Sequence, residues 1–277
     1  MLLASENSYD AGVNRSQKQV IPMAEKTDEK NKLSFLKEEV QAPVRFLLTR
    51  LEEDLNDDLL SLCVVGSALT GDFHPKRSDI NTVLVVRRRS HQLLQQLASY
   101  GKSMGKRKLR APLLMTPEYI QQSLDVFGVE FLDFQLNHSL VFGTDPFADL
   151  SFHKRDIRLQ CERQFKAALI KLRQGYISAL AKPKLIAGLL LECVSELTVL
   201  LRALLWLADS DRPREAMATL EMAAEKYEFD AQKVSPLIKL KQQHAQPRAD
   251  QVEMYFENIY QVIDHLAQKI DRIEGKS

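Results

Sequence analysis

The sequence predicts an α+β fold, in which a mixed sheet with helices is followed by an all-α helical bundle. Two observations lead to this class. Between about residues 59 and 150, short apolar runs typical of strands alternate with helical patterns. After about residue 153 no strand-like run is left, and long amphipathic patterns follow one another instead.

Length and composition agree with this architecture, and they argue against general nucleic-acid binding and against insertion into a membrane. The 277 residues suffice for one large or two modest domains. The formal net charge of +1 argues against a general attraction to nucleic acid or to an anionic membrane, so any polyanion site would be a local patch. No run approaches the roughly 18 apolar residues of a membrane span, and the N-terminus lacks the apolar region of a signal peptide. We therefore expect a cytoplasmic protein without a membrane partner.

The chain divides into three predicted parts. Residues 1–30 are polar and lack periodicity, which predicts a disordered tail. Residues 31–152 form the sheet domain, which begins with an amphipathic helix bent near Pro43. Residues 153–277 form the bundle domain. Its helices are expected near 154–181, 184–208, 213–227, 231–244 and 249–273.

The first two strands follow from short apolar runs. Leu59 to Val65 is rich in Leu and Val and ends at Gly66-Ser67, which predicts a buried strand running into a turn. A loop follows, and Ile80 to Val86 is the second strand because its β-branched residues favour the extended state.

The rest of the sheet domain follows from capping and turn residues. Ser90 is the predicted N-cap of a helix. A third strand lies near Leu109 to Met115, and Thr116-Pro117 then begins another helix. Phe131 to Val141 fits either a strand or a helix. This order predicts a mixed sheet with helices on one face.

The turn and the second strand carry the residues that point to chemistry. Gly66 would let the backbone approach a phosphate closely, and Ser67 would offer a hydroxyl and an N–H to it. Asp79 and Asn81 are two residues apart on a strand, so both side chains project from the same face. Oxygen ligands at that spacing can hold a divalent ion against a triphosphate.

These residues resemble the motif of the DNA polymerase beta-like nucleotidyltransferase superfamily, and in particular the branch with the aminoglycoside nucleotidyltransferases. The resemblance covers about residues 59–150 and rests on Gly66-Ser67, Gly71, Ser78-Asp79 and the apolar strand that follows. It implies transfer of a nucleoside monophosphate from ATP, or another nucleoside triphosphate, to a hydroxyl of a small-molecule or macromolecular acceptor. In that role Gly66 and Ser67 would bind phosphate, and Asp79 would be the catalytic residue and a ligand of Mg²⁺.

The acidic motif departs from the family pattern, and two hypotheses follow. Asn81 stands where the family has a second carboxylate, and the predicted third strand contains no carboxylate. Glu130 and Asp133 are the nearest substitutes as metal ligands. The protein is therefore either an active nucleotidyltransferase or a catalytically degenerate relative that binds a nucleotide or a protein partner. An antitoxin-like role beside a helical toxin is a third hypothesis.

The last predicted helix bears on the oligomeric state. Its apolar side is expected in the bundle core, and any part left uncovered would suit a second copy of the chain in a homodimer. The residues concerned are Tyr255, Phe256, Ile259, Tyr260, Val262 and Ile263.

Overall fold

The computed structural model describes residues 33–75 and 78–272, so the predicted tail at 1–30 lies outside the described residues. Four strands and four helices make up the part that precedes the bundle in the described chain. They are α1 (Glu38–Leu55), β1 (Leu59–Val65), β2 (Asn81–Val86), α2 (His91–Lys106), β3 (Leu113–Met115), α3 (Pro117–Gln122), α4 (Gly128–Leu136) and β4 (His138–Gly143).

The four strands form a mixed sheet in the order β3-β2-β1-β4, which confirms the predicted sheet type. β1 is antiparallel to both β2 and β4, whereas β2 and β3 are parallel. Val65, the last residue of β1, pairs with Asn81 on one side and with His138 on the other. The turn that follows β1 therefore lies beside the starts of β2 and β4.

Helices cover both faces of the sheet, so the prediction of helices on one face is wrong. Leu62 and Val64 of β1 point to the face covered by α1 and α2. Cys63 and Val65 point to the opposite face, where they pack with Ile120 of α3 and with α4. The run of consecutive apolar residues in β1 is the physical reason, because a strand buried on both faces does not alternate.

The structure defines the stretch 131–141 and the third strand more closely than the sequence did. The stretch 131–141, which fitted a helix or a strand, contains both, since α4 ends at Leu136 and β4 begins at His138. The third strand is shorter than predicted, because Leu109 makes only an isolated bridge to Ile80 before β3 begins at Leu113. Ser90 and Thr116 cap α2 and α3 as predicted, each accepting a hydrogen bond from the N–H three residues later.

The second part of the described chain is helical, as predicted. α4 packs with the bundle as well as with the sheet, since its Val129 and Leu132 share a core with bundle residues such as Phe165 and Leu204. The division at 152/153 therefore stays a prediction. No helix of the described chain is both long and apolar enough for a membrane span. The bundle helices are α5 (Lys154–Ser178), α6 (Pro183–Leu207), α7 (Ala216–Tyr227), α8 (Ser235–Gln242) and α9 (Val252–Asp271).

The apolar side of α9 is largely used within the bundle. Tyr255, Ile259, Val262 and Ile263 are buried in its core. Phe256 is partly buried and lies 4.6 Å, between ring centroids, from Tyr176 of α5. Homodimer formation through this helix stays a prediction.

Replacement of Gly143 by Ala tests the pairing of β1 with β4, whose register shifts between Leu62 and Cys63. Gly143 has a φ of 78°, and a Cβ there would lie 1.8 Å from the carbonyl oxygen of Leu60. We expect Gly143→Ala to lower the free energy of unfolding, measured in urea, by about 3 kcal/mol or more. Gly101, within α2, has no atom within 4 Å of a Cβ, so Gly101→Ala should raise that free energy by about 0.5–1 kcal/mol. Equal effects of the two substitutions would contradict the described register.

Candidate functional site

A cavity of about 380 Å³ lies between the bundle and the end of the sheet where β1 ends and β2 begins. Its sheet wall contains Gly66, Ser67, Asp79 and Asn81, which are the residues that the sequence singled out. Helices α6 and α8, together with the residues after α8, form the opposite wall. The polar residues of that opposite wall are Ser195, Thr198, Arg202, Lys241, Gln242 and His244.

The turn after β1 begins with a glycine that the geometry requires. Gly66 has a φ of 76°, a conformation that other residues rarely adopt. Its N–H donates a hydrogen bond of 3.3 Å to the carbonyl of Asn137, which holds the turn against the start of β4. A Cβ at Gly66 would face the amide nitrogen of Asn81 at 3.7 Å. The turn and Asn81 are therefore neighbours.

Asp79 lies just before β2 and faces the same cavity as Asn81. Ile80 between them is 1% exposed and points the other way, into the core under α1 and α2. The carboxylate of Asp79 has an ion pair with Arg110, but the Nε–Oδ2 distance is 3.9 Å and both side chains are at least half exposed. Such a contact is weak in water, so Asp79 can bind a ligand at little cost.

Asp133 also lines the cavity, yet its carboxylate is already used. Oδ1 of Asp133 lies 2.8 Å from Nη1 of Arg202, and both side chains are about nine-tenths buried. The same oxygen accepts a hydrogen bond of 3.1 Å from the side-chain amide of Asn137. A metal ion at Asp133 would therefore compete with a buried guanidinium.

Glu130 lies outside this cavity, so the structure does not bring it together with Asp79. Glu130 and Asp133 belong to the same helix, α4, but only Asp133 faces the sheet-side cavity. The Glu130 side chain lines a second cavity within the bundle, where Oε1 accepts a hydrogen bond of 3.1 Å from Gln164. Across residues 33–75 and 78–272, no three His, Cys, Asp or Glu side chains form a group that could hold a metal ion.

Arg202 is the residue of this site that sequence reasoning missed. It is buried in the C-terminal part of α6, the most apolar helix, and a charged residue within so apolar a run was the available signal. Besides Asp133, its guanidinium donates to the carbonyls of Pro213 and Arg214 at 3.2 and 2.5 Å. Arg202 therefore fixes α4 and the α6–α7 connection to one another.

Lys241 is a second cation that the sequence did not reveal, and it approaches the cavity from the end of α8. Its ammonium donates a hydrogen bond to the hydroxyl of Ser195. Burial of this ammonium lowers the pKa of Lys241, and the nearby carboxylate of Asp72 acts in the opposite direction. Asp72 in turn accepts a hydrogen bond of 2.7 Å from Gln242.

The cavity therefore combines charges of both signs. Asp72, Asp79, Asp133 and the cation Arg110 come from the sheet side, and the cations Arg202 and Lys241 come from the bundle. No Asp or Glu of α5–α9 lines the cavity in the part of the chain that the structure describes. This arrangement suits an anionic ligand that meets the bundle cations and shares a metal ion with Asp79.

The chain was compared with protein families, curated proteins and solved structures. No protein-family model and no curated protein matches the chain. Among solved structures, a spectinomycin adenyltransferase from Enterococcus faecialis, crystallised with ATP and spectinomycin, is similar at 11% sequence identity and a TM-score of 0.49. The alignment covers 83% of this chain and 99% of the adenyltransferase.

Replacement of Arg202 by Leu tests the buried ion pair. The substitution leaves the Asp133 carboxylate without its cation in a low-dielectric setting, so we expect the free energy of unfolding in urea to fall by about 3–5 kcal/mol. Arg202→Leu combined with Asp133→Leu should cost less than the sum of the two single substitutions.

Arg110→Leu is the matched control for this measurement. Arg110 also pairs with a carboxylate of the cavity, but at 3.9 Å and in an exposed position. Its loss should change the free energy of unfolding by less than about 1 kcal/mol. A similar cost for both arginines would show that the Arg202–Asp133 pair is solvated rather than buried.

Proposed function

We propose that this nucleotidyltransferase-like protein binds a nucleoside triphosphate, most simply ATP, together with Mg²⁺ in the cavity between the sheet edge and the bundle. One observation carries the proposal: the Gly66-Ser67 turn, Asp79 and Asn81 line one wall of a cavity whose other wall presents Arg202 and Lys241. Its volume of about 380 Å³ is within the range of small-molecule sites.

The phosphates would be bound from two sides. Ser67 offers a hydroxyl and a backbone N–H at the turn, where Gly66 carries no side chain to obstruct a phosphate. Lys241 offers an ammonium from the bundle, and its pKa, lowered by burial, would rise again on contact with a phosphate. Binding of an anion would thus reduce the cost of keeping this lysine charged.

The residues present fit one Mg²⁺ ion better than two. Asp79 and Asn81 supply a carboxylate and an amide oxygen, and Mg²⁺ commonly combines one or two protein carboxylates with substrate phosphates and water. An ion bound there would neutralise phosphate charge. A second ion would have to compete for carboxylates that already have partners, because Asp133 is paired with Arg202 and Asp72 accepts a hydrogen bond from Gln242, while Glu130 lines another cavity.

Of the three hypotheses left by the sequence, nucleotide binding without efficient transfer has the best support. Transfer needs charge stabilisation at the phosphate and a base for the acceptor hydroxyl. Asp79 is the exposed carboxylate of the motif, and it cannot serve both purposes well. Nucleotidyl transfer to a hydroxyl remains the second candidate, and the accessibility of Asp79 within the cavity favours it.

Isothermal titration calorimetry of ATP binding, with and without Mg²⁺, tests the proposal. We expect added Mg²⁺ to tighten ATP binding, and Asp79→Asn to weaken it roughly 10- to 100-fold in Mg²⁺, as for the loss of about 1.4–3 kcal/mol of charged contact. In EDTA the wild type and Asp79→Asn should differ much less.

Asp149→Asn is the matched control, because Asp149 is an exposed carboxylate that lines a different depression of the surface. Its ATP affinity should equal that of the wild type. Equal affinities of wild type and Asp79→Asn in Mg²⁺ would refute the proposed site. Release of pyrophosphate from ATP that is lost in Asp79→Asn would favour the second candidate, nucleotidyl transfer.

A further inference from the structure

A second cavity of about 450 Å³ lies inside the helical part of the molecule, between α4, α5, α6 and α9. Much of its lining is apolar and belongs to the bundle core, including Phe165, Leu197, Leu200 and Ile263. Four polar or charged side chains complete it, namely Glu130, Gln164, Lys171 and Glu196. The cavity therefore has the make-up of a small-molecule site, with an apolar body and a few polar groups.

The carboxylate of Glu130 is incompletely satisfied in this cavity. Oε1 accepts the hydrogen bond from Gln164, whereas Oε2 is buried and has no hydrogen-bond partner among the residues that the structure describes. A buried carboxylate oxygen without a donor is unfavourable, and more so than a neutral group. An N–H donor with a positive charge would satisfy it best.

Lys171, the cationic side chain among the lining residues, is already paired with other carboxylates. The ammonium of Lys171 lies 2.7 Å from a carboxylate oxygen of Glu196 and 3.6 Å from one of Glu192. The hydrogen bond with Glu196 raises the pKa of Lys171, as expected for an ammonium paired with a carboxylate. With Lys171 and Glu196 balancing each other, the lining has an uncompensated negative charge at Glu130.

We propose that this cavity binds a small organic cation, with its ammonium group on Glu130 and its apolar body on Leu197 and Leu200. The site is separate from the nucleotide cavity, although both share two helices. On α4, Glu130 faces one cavity and Asp133 the other. On α6, Leu197 lines the cation cavity and Thr198 lines the nucleotide cavity.

Titration of the isotope-labelled full chain with benzylamine, followed by protein-observed NMR, tests the inference, with benzyl alcohol and benzoate as the neutral and anionic counterparts. We expect benzylamine to bind with a Kd on the order of 1 mM, as its size allows. Benzyl alcohol should bind at least tenfold more weakly, and benzoate should not bind. Amide shifts should be centred on α4 and α6 at the Glu130 side.

Glu130→Gln should weaken benzylamine binding at least tenfold while leaving the weak binding of benzyl alcohol unchanged. Glu221→Gln, which changes an exposed carboxylate of α7, is the matched control and should bind benzylamine like the wild type. Ala167→Phe extends a large side chain from the exposed rim of the cavity and should weaken both ligands.

Three results would overturn the inference. Equal binding of benzylamine and benzyl alcohol would mean that the charge of Glu130 does not select the ligand, and no binding of either would mean that the cavity is not a binding site. Equal benzylamine affinity in wild type and Glu130→Gln would place the cation elsewhere. ATP affinity, measured in the same samples without amine, reports on the nucleotide cavity separately, so either proposal can fail without the other.

Discussion

Arg202 and Asp133 form the buried ion pair on which the arrangement of the two parts depends. Asp133 belongs to α4, which packs against the sheet and against the bundle, and Arg202 belongs to the C-terminal part of α6. A charge pair of this kind gains little over an apolar pair of equal volume, but it is costly to break. Removal of one partner is therefore expected to cost more than replacement of both by apolar residues.

The same ion pair shapes the candidate site. Because Arg202 neutralises Asp133, the cavity keeps Asp79 as the accessible carboxylate of its predicted motif. In the proposed function, the turn at Gly66 and the bundle cation Lys241 would hold phosphate. Transfer of a nucleotidyl group would need more than these residues. Binding and transfer are separable on these grounds, since the first needs charge complementarity and the second needs a base as well.

Much of the sheet could be predicted because its signals are local. The run before Gly66 and the β-branched run after Asp79 identified β1 and β2, and the antiparallel register then brought those two residues together. The grouping of Asp79 and Asn81 needed only the two-residue period of a strand. The position of a third carboxylate cannot be predicted from the two-residue period of a strand. It depends on which face of a helix lines the cavity.

The parts that escaped prediction are those set by tertiary contacts. Whether Glu130 or Asp133 faces the site was decided by the packing of α4 between sheet and bundle, and no local pattern contains that information. Arg202 was overlooked because its partners are distant in the chain, at position 133 and beyond position 212. The continuous apolar run in β1 implied helices on both faces of the sheet, because a strand buried on both faces lacks the apolar-polar alternation of a half-exposed strand.

The shortness of β3 has a consequence for how the molecule behaves at high concentration. A sheet margin with free N–H and C=O groups can recruit a strand from another molecule and start aggregation. The sheet has two such edges, and the one at β3 consists of three residues, Leu113–Met115, and follows directly on Pro112, which has no N–H to offer. So short an edge gives an incoming chain few hydrogen bonds, which leaves the six-residue strand β4 as the longer of the two edges.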